Sequence, residues 1–155
     1  IINWFARNKN VLKDTDQQVK YTRNEENIHA LVGIKIINTI REESPELFDE
    51  ELEERILHEA EEALIAESNI VDWMVNGYKE AGLNAGLLKG FIKNRIINSL
   101  EQIGFKAPFE IDNEALEATM WFEEELMGNN MADFFHTRPT EYSKKNQSFD
   151  EEDLF

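Results

Sequence analysis

The stretch Val19-Lys20-Tyr21-Thr22-Arg23-Asn24-Glu25-Glu26-Asn27-Ile28-His29-Ala30-Leu31-Val32-Gly33-Ile34-Lys35-Ile36 decides the fold class. Steps of three and four residues return to one side of a helix, and they link Val19, Thr22, Glu26, His29, Gly33, Ile36 and, beyond the quoted segment, Ile40. This stripe is apolar or small except at Glu26 and His29. A carboxylate on an apolar face costs several kcal/mol if buried alone, unless it is paired or ligated. Glu and His three apart on one face can offer two ligands to a carboxylate-rich metal pair in a helix bundle, and oxygen plus imidazole suits iron or manganese. Glu-x-x-His is also a short pattern that an acidic chain produces by chance, so a solvated helix face stays open beside the metal reading.

Outward from that helix the pattern stays helical. Neither sustained β-branched alternation nor a hairpin turn between alternating runs occurs, and Asn76-Gly77 follows a helical pattern. A first short helix is expected to fray near 8–10. The second starts at 14–16, with Thr15 or Asp16 as N-cap, and ends at Ser44-Pro45. A third runs from Asp49 or Glu50 to Val75 and a fourth from Ala85 to Ile103, closed by Asn76-Gly77 and Gly104 respectively. Past Pro108-Phe109 an acidic, less regular stretch with Trp121 and Phe122 is expected. The domain reading is a helical domain over 1–141 and a flexible, charged tail over 142–155. The expected fold class is all-α.

Composition removes several functions. The 155 residues hold 32 Asp and Glu against 16 Lys and Arg, a formal charge of −16, which repels phosphate backbones and anionic lipid. Neither nucleic acid nor a membrane is therefore an expected partner. Cysteine is absent, which excludes disulfides, thiolate catalysis and cysteine zinc sites, and accords with the cytoplasm as the expected location. The sequence lacks a Gly-rich phosphate loop, a Gly-x-Ser-x-Gly elbow and a His-Glu-x-x-His motif. His58, between Glu54 and Glu62, lies off the apolar stripe of its helix (Ile56, Ala60, Ala63 or Leu64, Glu67, Ile70 or Val71, Met74) and reads as part of a solvated charged face. His136 is not expected to be a ligand. Gly86 and Gly90, four apart, read as a site of close helix packing.

Asn24-Glu25-Glu26-Asn27-Ile28-His29 resembles the Arg-Asp-Glu-x-x-His segment of the small, radical-generating subunit of class I ribonucleotide reductase. The likeness continues in order through Asn94-Arg95, Ile103-Gly104-Phe105 and Pro108-Phe109. It then extends over Phe134-Phe135-His136-Thr137-Arg138-Pro139-Thr140-Glu141-Tyr142 and an acidic tail ending Asp153-Leu154-Phe155. The resemblance implies a ferritin-like helical bundle in which Glu26 and His29 ligate a dinuclear metal centre of two irons, with two manganese or a manganese–iron pair as alternatives. It gives Glu25 the place of an Asp that couples a metal-ligating His to the radical path. It gives Tyr142 the place of the tail tyrosine that relays the radical to the large subunit for deoxyribonucleotide synthesis.

The resemblance also implies that the tail, with Phe149, Leu154 and Phe155 as apolar anchors, docks on the large subunit, and that the completed small subunit dimerises. The family's other ligands and its usual radical-bearing Tyr precede the point matched by Ile1. Ile1-Ile2-Asn3-Trp4-Phe5-Ala6-Arg7 reads as the end of an apolar helix. The chain is thus expected to be the C-terminal half of the subunit, active only with a separate N-terminal half. Two other readings stay open: a fragment of another ferritin-like di-iron oxidase, with no use for Tyr142 or the tail, and a structural helical partner without metal chemistry.

Overall fold

The computed structural model describes residues 1–78, 80, 83–122 and 124. Tyr142, His136 and the whole 142–155 tail lie outside the described residues. The helices are α1 (Ile2–Lys9), α2 (Lys13–Glu43), α3 (Glu50–Val75) and α4 (Ala85–Gln102), with a single 3-10 turn at Pro45–Leu47. A further helical run, α5, covers 113–122. The described residues form no strand; one antiparallel bridge joins Glu80 and Leu83 in the α3–α4 connection. The all-α architecture matches the expectation.

Local chemistry sets most of the boundaries. Asp49 Oδ1 accepts from Leu52 N at 2.9 Å to cap α3, and Glu50, Glu51 and Glu53 put negative charge at the positive end of the helix dipole. Asn76 stops α3 in the left-handed region at φ 41°, followed by Gly77 at φ 80°. Asn84 caps α4 through Leu87 N at 3.0 Å, and Gly104, φ 81°, ends that segment.

The start of α2 differs from its expectation. Leu12, at φ 58°, precedes the first turn and supplies no side-chain cap. Asp16, expected near the cap, is instead buried and accepts a hydrogen bond from Asn3 of α1. A tertiary partner thus claims the carboxylate, and the helix begins at Lys13, one residue before the expected range. The acidic stretch after Pro108 is more regular than expected: Asp112 Oδ1 accepts from Ala115 N at 2.9 Å and starts α5.

α3 and α4 form the main helix pair. Ala60, Leu100 and Phe105 are buried at its centre, with Ile56, Leu57, Ile96, Ile103 and Phe109 around them. Each large side chain fully buried there contributes about 1.5–3 kcal/mol. The packed face of α3 runs through Leu57, Ala60, Leu64, Val71 and Val75; of the expected alternatives Leu64 and Val71 pack while Ala63 and Ile70 are exposed, and Glu67 and Met74, expected on this face, are exposed. On α4, a Cβ added at Gly90 would lie 2.6 Å from Ala115 Cβ and 2.6 Å from Asp112 Oδ2, so Gly90 is what lets α5 approach. At Gly86 an added Cβ would meet only the Asn84 side chain, at 3.2 Å. The expected close packing therefore belongs to Gly90 alone.

Candidate metal centre

α2 is held at its two ends and bare between them. At its start, Asn3 reaches Asp16, and Asp16 pairs with Lys20 at 2.8 Å. The Arg23 guanidinium lies 5.2 Å from the centre of the Phe122 ring, which meets Phe91 of α4 edge-on. At its end, Asn38 donates to the Gln102 carbonyl at 3.0 Å. Arg41 donates to the Ile103 carbonyl at 2.7 Å, with its guanidinium 4.2 Å from the Phe48 ring and 4.5 Å from the Phe105 ring. Flat cations suit such stacking on aromatic faces. A Cβ at Gly104 would come 3.2 Å from that guanidinium, so the glycine also makes room for the clamp.

Asp16, Lys20, Arg23, Ile34, Asn38 and Arg41 recur at helical spacing and define the edge by which α2 contacts the rest of the chain. Glu26 and His29 project from a different side. His29 Nδ1 and Glu26 Oε2 are 3.5 Å apart, and their side chains are 73% and 69% exposed. Ile36 and Ile40 of the same stripe are exposed, as are Tyr21, Ile28 and Val32 elsewhere on α2. The apolar pattern aims this stripe at an interior; among the described residues nothing covers it. Glu25 is exposed next to the pair.

The two candidate ligands are therefore adjacent, accessible and correctly typed, but they stand alone. No three His, Asp or Glu groups converge on a metal position among the described residues. A carboxylate and an imidazole on one face fit one helix's share of a carboxylate-bridged pair, with further ligands needed from elsewhere. His58 is exposed with Glu54 and Glu62, as expected for a solvated face. No helix among the described residues is long and apolar enough to cross a membrane.

Two supporting contacts have little or no signal in the sequence. Asn94 Nδ2 donates to the Asp112 carbonyl while Asn94 Oδ1 accepts from Asp112 N, both at 2.8 Å, so an amide side chain imitates a β-bridge. Asn94, a motif residue in the sequence, thereby fixes α5 to α4. The Arg41 clamp joins residues 62 apart in sequence. Its only sequence trace is an Arg in the last turn of α2.

A family model described as "Ribonucleotide reductase, small chain" matches residues 1–117, which include Glu25, Glu26 and His29. The ribonucleoside-diphosphate reductase subunit beta of Chlamydia pneumoniae is 31% identical over 143 residues, covering 92% of this chain and 39% of the relative. The subunit of the same name from Aquifex aeolicus (strain VF5) is 33% identical over 125 residues, covering 78% of this chain and 17% of the relative. The chain spans well under half the length of these curated relatives.

Proposed function

The chain belongs to the ribonucleotide reductase small chain family, and from that premise we propose that it supplies one helix's share of a dinuclear metal centre in a ferritin-like bundle. Glu26 and His29 are the ligands it contributes. The observation that carries this reading is their placement side by side, 3.5 Å apart, on an apolar face of α2 that the described chain leaves open. A lone exposed pair on a polar helix would ask for nothing; a pair in line with Gly33, Ile36 and Ile40 asks for a cover. We place that cover, and the remaining ligands, on the part of the small subunit that the curated relatives have and this chain does not span.

Within such a centre Glu26 would supply a carboxylate oxygen and negative charge, and His29 an imidazole nitrogen. The bound metals, two irons or a manganese-containing pair, would supply oxygen activation and one-electron oxidation. Glu25, one residue before the ligand, takes the role of the acid that couples a ligating His to the radical path. Tyr142 relays the oxidising equivalent to the large subunit, on which the 142–155 tail docks through Phe149, Leu154 and Phe155. Loss of the phenolic proton with the electron keeps that relay free of net charge. The completed subunit works as a dimer in the cytoplasm, and ribonucleotide binds on the large subunit.

Co-expression with a polypeptide carrying the part of the small subunit that this chain does not span, followed by metal counting on the purified complex, tests the ligand assignment. Glu26→Ala with His29→Ala is expected to abolish stoichiometric iron or manganese while the complex still forms. Full metal content in the double variant would overturn the assignment.

A further inference from the structure

The last turns of α3 carry an apolar patch away from its packed face. Ala66, Ile70, Trp73 and Met74 share one side at helical spacing; Trp73 is 80% exposed, and Ile70 and Met74 are about half exposed. Small Ala63 and Ala66, both exposed, leave room for another backbone to approach. An indole this open gains nothing from folding, so its burial is available to a partner.

Electrostatics restrict what the partner can be. Arg55 is the one Lys or Arg of α3 against nine Asp and Glu, and Glu59 and Glu62 lie on the same side as Trp73, a few turns earlier. The last turn of α3 holds no basic residue, so the negative end of its dipole has no cation of its own helix beside it. Asp72 is already paired, with Lys89 of α4 at 2.7 Å. A cation placed near Trp73 would meet the dipole end and the indole face together. A second copy of the chain brings the same acidic helix and a formal charge of −16, which opposes self-pairing.

We propose that this patch docks a basic amphipathic helix of a partner polypeptide. Its apolar face seats on Ala66, Ile70, Trp73 and Met74, and its Lys or Arg side chains lie beside Glu59, Glu62 and the end of α3. The site is independent of the metal ligands, which lie on α2.

The test uses the 155-residue chain and a synthetic amphipathic peptide of about four helical turns, with Leu on one face and Lys on the other. Binding is measured by titration calorimetry. The Lys peptide is expected to bind, a peptide of the same pattern with Glu for Lys is not, and Trp73→Ala is expected to weaken binding at least about tenfold, as truncating a central Trp anchor does. Ile65→Ala, an exposed residue on another side of α3, is expected to leave affinity unchanged. Equal binding to wild type and Trp73→Ala, which diffuse charge attraction would give, overturns the proposal. So does an Ile65→Ala loss as large as that of Trp73→Ala.

Discussion

Two glycine-to-alanine changes in helices should move stability in opposite directions. Gly33 sits in the middle of α2, and a Cβ there meets nothing within 4 Å. Only the backbone argument applies, and Ala in place of a helix-interior Gly stabilises by about 1 kcal/mol. Gly90 sits in α4 with the same propensity gain, but its Cβ would lie 2.6 Å from Ala115 Cβ and Asp112 Oδ2. Carbon contacts settle at roughly 3.5–4 Å, so α5 must retreat by about 1 Å. That retreat stretches both 2.8 Å hydrogen bonds between Asn94 and Asp112, each contributing about 1 kcal/mol, and loosens the Phe91–Phe122 contact. Overpacking of this kind costs about 1–3 kcal/mol. Set against the propensity gain, Gly90→Ala should come out about 0–2 kcal/mol less stable than wild type while Gly33→Ala stabilises by about 1 kcal/mol. Urea denaturation followed by far-ultraviolet circular dichroism measures both, with the slope checked for constancy. If Gly90→Ala stabilises as much as Gly33→Ala, the close approach of α5 to α4 is refuted.

Arg41→Ala removes a charge-assisted hydrogen bond to Ile103 and two aromatic contacts, and should cost about 2–3 kcal/mol in the same assay. Arg41→Lys, which keeps charge but not the flat stacking surface, should recover about half of that. Glu26→Ala with His29→Ala should leave the stability of the chain alone within about 0.5 kcal/mol, because both side chains are exposed, and thermal melts check it. The junction of α1 with the α3–α4 connection should respond to pH at both extremes. Hydrogen bonds from Lys9 and from Tyr78 hold the Glu80 carboxyl below its ordinary 4.5, and the same carboxylate raises Lys9 above 10.5 and Tyr78 above 10.0. The Glu80 contribution is present above its ordinary value and fades as pH falls through its lowered one. The Lys9 and Tyr78 contributions are present below their ordinary values and fade as pH rises through the raised ones. Ultraviolet titration should show Tyr78 ionising late, with Tyr78→Phe removing that late step, and added salt should shrink the effect.

Helix ends governed by neighbours in sequence are legible: the Asp49 cap, the Asn76-Gly77 stop and the Ser44-Pro45 break each act within a few residues. Where a distant group intervenes, the local pattern misleads. Asp16 looks like a cap because nothing in the sequence announces Asn3 as its partner. The rotation of α3 is hidden for a related reason. Ile70 and Met74 are as apolar as the residues that pack, and only the position of α4 decides which side is buried. The start of α5 is written in Asp112-Asn113-Glu114-Ala115, an N-cap followed by an acid in the first turn, but the flanking Pro108 and the run of acids mask it. Of the candidate centre, the pairing and type of Glu26 and His29 are readable from a three-residue spacing, because the helix period alone puts them together. Their exposure is not, since burial depends on what lies over a face and an amphipathic pattern names only the face.

If the proposed function is right, the rest of a dinuclear centre assembles on the Glu26–His29 face of α2. The decisive measurement is a crystal structure of this chain together with the part of the subunit it does not span, with manganese located by anomalous scattering. Metal is expected within bonding distance of a Glu26 carboxylate oxygen and a His29 ring nitrogen, under a covered apolar stripe. Manganese bound elsewhere, with both side chains still open to water in the assembled complex, would contradict it.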